Sequence, residues 1–130
     1  MLKNMTVELE NGLKIAISCM EEKEALSLGT KYPQFADLQK QASASTIYKV
    51  TFDFGASKFE AFCFDHWLAA TCLLFTRDPG LIAEHLSAFV VGDELVLRYP
   101  HHNRLENLLK TLKTAITKNT PPNATALLLK

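Results

Sequence analysis

A basic excess is the first thing missing from this chain. Lys plus Arg and Asp plus Glu number 14 each, so the formal net charge is zero, and the electrostatic footprint of a general nucleic-acid binder is not there. Long apolar runs are missing too. No uncharged stretch exceeds the 11 residues from His66 to Thr76, about half of the roughly 20 that a membrane-spanning helix needs. Three cysteines, Cys19, Cys63 and Cys72, cannot close a full set of disulfides, and none stands in a C-x-x-C pair. Glycine is scarce at five residues, with no Gly-rich phosphate loop, no nucleophile elbow and no H-E-x-x-H. Lys3, Glu8 and Glu10 interrupt the start of the chain where a secretory signal would run unbroken and apolar. Together with the thiols, this gives the expectation of a reducing, cytoplasmic setting without a membrane anchor.

What is present is ordinary globular material: 130 residues, 48% apolar and 22% charged, one domain's worth with enough chain to bury a core. We expect a single α+β domain over residues 1–120 and an apolar tail over 121–130.

The first element reads as a hairpin whose register follows from its turn. Val7 and Leu9 alternate with Glu8 and Glu10; Leu13, Ile15 and Ile17 alternate with Lys14, Ala16 and Ser18. A two-residue Asn11-Gly12 turn would throw the two apolar rows onto opposite faces. A three-residue loop, Glu10-Asn11-Gly12, pairs Leu9 with Leu13 and Val7 with Ile15 on one face, with Gly12 left-handed. Ser18 and Glu21 then read as a capping box opening a helix that stops at Gly29. Pro33 opens a second helix carrying Phe35, Leu38 and Ala42 inward.

In the second hairpin Tyr48, Val50, Phe52 and Phe54 share a face, and Gly55-Ala56 suits a tight turn with glycine first. That register pairs Phe52 with Phe59 and Val50 with Ala61, and sets Lys58 opposite Asp53. Asp65 caps an apolar helix, His66 to Phe75; Asp78-Pro79 opens another to about Ser87. Glu94 to Tyr99 alternates as a strand. The last helix starts at Asn103 with Glu106 and runs to about Lys118, with Leu105, Leu108, Leu109, Leu112 and Ile116 on one stripe. The predicted class is α+β: an antiparallel sheet of two β-hairpins plus a further strand, layered with helices in the order ββαα-ββαα-β-α.

Chemistry-bearing residues are few. Cys63, Asp65, His66 and Cys72 lie close in sequence, but no second pair completes a tetrahedral metal set, and adjacent Asp65 and His66 diverge as base and orienter. A cap, a boundary histidine and two buried thiols account for them. His85, between Leu81 and Phe89 at i±4, reads as an inward-facing helix residue. His101 and His102 precede the last helix as a solvated loop pair. That helix carries Arg104, Lys110, Lys113 and Lys118 against Glu106 alone, spread over its polar half without aromatics for stacking bases. No catalytic residue, metal or cofactor is assigned.

The informative feature is the back of the second hairpin. Ile47, Phe62 and Phe64 face away from Phe59 and Cys63, beside Lys49, Thr51, Asp53, Lys58 and Glu60. Left open, the greasy half is a partner-binding surface; otherwise a helix of the same chain, or the tail, covers it. The tail poses the same question, because Leu127, Leu128 and Leu129 follow the Pro121-Pro122 break and would be sticky undocked. They are expected to add a strand to a sheet edge or to bridge a homodimer, so that deleting residues 123–130 lowers stability or yields a monomer.

The leading functional reading is a small cytosolic protein-binding module, of inhibitor, immunity-type or chaperone-like adaptor kind, acting by surface complementarity. The second is a small-molecule binder or minor enzyme with a pocket between sheet and helices, using His66, Cys72 or His85. The third is nucleic-acid binding through the C-terminal helix.

Overall fold

In the computed structural model, six antiparallel strands follow one another across a single sheet in chain order. The structure describes residues 4–42, 47–55, 57–63, 83, 86–91, 94–97 and 102–121. Strands β1 (Asn4–Glu8) and β2 (Lys14–Cys19) form the first hairpin. Helices α1 (Glu22–Lys31) and α2 (Pro33–Ala42) lead to β3 (Tyr48–Asp53) and β4 (Lys58–Cys63). Strands β5 (Ala88–Val91) and β6 (Glu94–Leu97) form a third hairpin, and α3 (His102–Lys118) ends the described fold.

Both hairpin registers hold. Val7 pairs with Ile15, the Leu9 N–H donates to Leu13 O at 2.9 Å, and Gly12 has φ +88°, the left-handed geometry of a three-residue loop closed by a bulge. Phe52 pairs with Phe59, Val50 with Ala61 and Asp53 with Lys58. The Phe54 N–H donates to Ser57 O at 3.0 Å, closing a two-residue turn in which Gly55 also has φ +88°.

Three expectations are corrected. Ser18 does not cap α1: β2 runs on to Cys19, which pairs with Tyr48, and α1 starts after Glu21, which makes no side-chain cap bond. Sheet pairing claims Ser18 before the helix can. Helix α1 also does not stop at Gly29 but continues to Lys31. Gly29 lies where α1 crosses α2, and a Cβ there would sit 3.3 Å from Ala36 Cβ. Third, the expected lone strand after the second hairpin is a hairpin, because Ala88–Val91 pairs with both β4 and β6. Phe89 therefore lies in a strand, so the i+4 helical relation drawn from His85 does not exist. Of the helix expected to reach Ser87, Ala83 and Leu86 are described, both fully buried, and the Ser87 N–H already donates to Phe62 O at 2.8 Å. The helix expected over His66–Phe75 lies outside the described residues.

Side-chain alternation divides the buried residues between the two sheet faces. On the front, Val7, Ile15, Ile17, Val50, Phe52, Phe59, Phe89 and Val96 join Leu112 and Ile116 of α3 in one core. On the back, Phe35 of α2 and Tyr32 join Ile47, Phe62 and Ala88 in a second. The sheet is thus covered by helices on both faces, and its wholly antiparallel pairing places the fold in the α+β class.

Helix α3 is tied to the opposite end of the sequence. It ends with Asn119 at φ 50°, with the Thr120 N–H donating to Ala115 O and the Asn119 N–H to Ile116 O, the paired bonds of a Schellman cap. Two carbonyls of its last turn, those of Ile116 and Thr117, accept from a side chain 105 and 106 residues earlier in sequence. Asn11 Nδ2 donates to Ile116 O at 2.8 Å and to Thr117 O at 2.9 Å, while Asn119 Nδ2 donates to Asn11 O at 3.1 Å.

Candidate functional site

Back-face residues fall into rows across β1 to β4. One row reads Glu8, Lys14, Asp53, Lys58; the next reads Thr6, Ala16, Thr51, Glu60. The first row alternates in sign across four strands, so each charge has opposite-charge neighbours and the face needs no counter-charge from outside. Toward β5 and β6 the same face turns apolar, with Phe62, Ala88, Val90 and Leu95, and there the α1–α2 pair covers it.

That cover accounts for Ile47 and Phe62 of the greasy half. Ile47 is 3% exposed and Phe62 1%, so both are core residues of the second cluster rather than an open surface. Their partner is internal. Phe64, His66, Cys72, His85, His101, Leu127, Leu128 and Leu129 lie outside the described residues; His102 is the first residue of α3. Cys63 is fully buried on the front face, as expected for a thiol in an apolar strand row.

The surface that remains is bounded by α1. Helix α1 contributes no buried residue; Ala25 and Leu28 touch the second cluster only in part, and Leu26 is 65% exposed. Between α1 and strands β3 and β4 runs a groove of about 400 Å³. Its base is apolar, with Met20, Leu28 and Phe62. Its rim carries Lys23, Lys31, Glu24 and Ser27 from the helix and Lys49 and Glu60 from the sheet. One pair within it is engaged, Lys49 Nζ to Glu24 Oε2 at 3.5 Å, both side chains partly solvated; such a pair contributes about 0–1 kcal/mol and serves mainly to pin the helix over the sheet. Lys31 Nζ stands 5.3 Å from the Tyr32 ring centroid, within cation–π range. The groove thus has an apolar base inside a rim of ammonium groups, carboxylates and a hydroxyl.

A second groove, of about 480 Å³, follows the outer side of α3 past Lys110, Thr114 and Lys118. The Thr114 hydroxyl donates to Lys110 O at 3.0 Å. The described lining is threonine, lysine, alanine and proline, without a ring on which a base could stack.

Sequence reasoning missed α1 as a wall. The signal was its short apolar side: in Glu22–Lys31 Ala25 and Leu28 share one face three residues apart, while Leu26, the remaining large apolar residue, lies off that face. Among the described residues no helix is long and apolar enough to cross a membrane, and no three His, Cys, Asp or Glu side chains cluster as metal ligands. Compared with protein-family models, with curated proteins and with solved structures, the chain matches none.

Proposed function

We propose that the protein is a small protein-binding module acting by surface complementarity, with α1 and the groove beside it as its docking wall. The observation that carries this is that no side chain of α1 is fully buried: Ala25 and Leu28 pack in part on the second cluster, and the remaining side chains are exposed. A ten-residue helix is marginal on its own, and ordering it costs about 1–2 kcal/mol per residue in backbone entropy. Here Ala25 and Leu28, packed on the second cluster, and the close approach to α2 at Gly29 hold the helix, while Lys23, Ser27 and Lys31 on its groove-facing side stay exposed. The charge alternation of the groove suits a folded partner with its own mixed charges better than a polyanion. A reducing, cytosolic setting belongs to the same proposal, supported by the odd cysteine count.

The test is capture from a lysate of the source organism with the wild-type chain, a Lys23→Glu/Lys31→Glu variant and a Lys58→Glu control from the bare half of the sheet. Expected is one protein held at fixed stoichiometry by wild type and control and lost by the double variant. No such protein, or equal retention by all three, rejects the reading. A second copy of the chain is among the partners this covers; sedimentation of the same three proteins detects it.

A further inference from the structure

We infer that Asn11 is a deamidation site held shut by the native fold, and that its conversion unfastens α3 from the β1–β2 turn. Asn11-Gly12 is the single Asn-Gly step in the chain. Glycine has no Cβ to shield its backbone nitrogen, so the Gly12 nitrogen can reach the Asn11 side-chain carbonyl carbon, Cγ. In that step the Gly12 N–Cγ bond forms and the Cγ–Nδ2 bond breaks. Nδ2 leaves as ammonia, taking the Gly12 proton, and a five-membered succinimide remains. Solvent water then opens the ring at one carbonyl or the other, leaving aspartate or isoaspartate. The sum is amide plus water giving carboxylate plus ammonium, with no change of oxidation state.

The native geometry opposes each requirement of the attack. Nδ2, the leaving group, donates to Ile116 O and Thr117 O. Oδ1 accepts from the Leu13 N–H at 3.0 Å, and Asn119 Nδ2 fixes the Asn11 carbonyl. The attacking nitrogen is itself occupied, its proton donated to Leu9 O at 2.9 Å. Asn11 is nonetheless exposed, so the protection comes from hydrogen bonding and not from exclusion of water. It lasts only while the turn and the end of α3 stay together.

Conversion is one-way and changes the contact's sign. Aspartate at position 11 has no N–H for Ile116 O and Thr117 O. Its carboxylate would face two carbonyls at the negative end of the α3 dipole. Isoaspartate would also add a backbone carbon to the three-residue loop that sets the β1–β2 register. Either product weakens the seat of a helix whose Leu112 and Ile116 are fully buried in the front core.

The experiment holds three samples in mildly alkaline buffer and follows position 11 by peptide mass analysis: the native chain, the chain unfolded in urea, and an Asn119→Gly variant. Glycine keeps the left-handed cap at 119 and removes only the side-chain tie. The native chain should convert at least about tenfold more slowly than the unfolded chain, as expected for reaction through a local opening. Asn119→Gly should convert about 2–10-fold faster than wild type, the gain in opening that loss of one hydrogen bond brings. Conversion of the native chain at the unfolded rate, or no acceleration in Asn119→Gly, overturns the proposed protection. In parallel, Asn11→Asp should speed amide hydrogen exchange over residues 115–120, and unchanged exchange there overturns the unfastening.

Discussion

Phe35 stands edge-on to Phe62, with ring centroids 5.4 Å apart and planes at 69°. A ring from α2 therefore seals the strand position whose outward aromatic would otherwise be a sticky surface. Truncating either ring leaves a cavity between helix and sheet. We expect Phe62→Ala and Phe35→Ala each to cost about 3–5 kcal/mol, with about 0.5–1.5 kcal/mol of coupling between them. Denaturant unfolding of the two single variants and the double variant measures all three numbers. A loss near zero for Phe62→Ala is incompatible with a ring that is 1% exposed.

The legible parts of this fold are those fixed by neighbours in sequence. Turn chemistry at Gly12 and Gly55 set both hairpin registers, because a one-residue slip would invert every side chain of a strand. Pro33 marked the start of α2 for the same local reason. What failed depended on partners far away in the chain. Ser18 carries a good capping signal, but Tyr48 and Lys49 of β3 draw Cys19 and Ser18 into the sheet. Ala88–Val91 does not alternate, because both its faces are covered, and a short continuous apolar run gives no period to read. The α3 cap was readable in principle, since Asn119 followed by Pro121 is a stop signal. Its tie to Asn11 was not, because nothing in either segment points to the other. The fate of Phe62 was open for the same reason: alternation gives the face but not what lies over it.

Gly29 tests how closely α1 and α2 approach. A valine there places branched carbons against Ala36, whose Cβ would already be 3.3 Å from a Cβ at 29. Overpacking of this kind costs about 1–3 kcal/mol. Because α1 walls the groove, Gly29→Val should lower partner capture as well as stability, whereas Ser27→Ala at the rim should leave stability within about 0.5 kcal/mol.

Gly55 offers a cleaner backbone test. It sits at φ +88° and a Cβ there would meet nothing within 4 Å, so any penalty is conformational. Gly55→Ala should cost about 1–2 kcal/mol. Gly55→Asn should cost less, because asparagine enters the left-handed region more readily. The Asp53 Oδ1 contact to the Gly55 N–H at 2.9 Å persists in both variants. Thermal unfolding of the pair, read against wild type, separates this from a packing effect, which would penalise the larger asparagine more.

The thiols report on which parts of the sheet open. Cys63 is fully buried in the front core, on a strand paired on both sides; Cys19 is half-buried at the end of β2. A thiol reagent added to the native protein should therefore modify Cys19 first and leave Cys63 untouched until the sheet unfolds. If Cys63 is reached only by global opening, its labelling rate follows the folding equilibrium. Phe62→Ala, which removes about 3 kcal/mol or more, should then raise that rate about a hundredfold or more, while Cys19, reacting from the folded state, changes little. Timed labelling with peptide mass analysis measures both rates in one experiment. Equal native rates at the two cysteines, or a Cys63 rate indifferent to Phe62→Ala, would show that β4 opens locally, contrary to its place in the middle of the sheet.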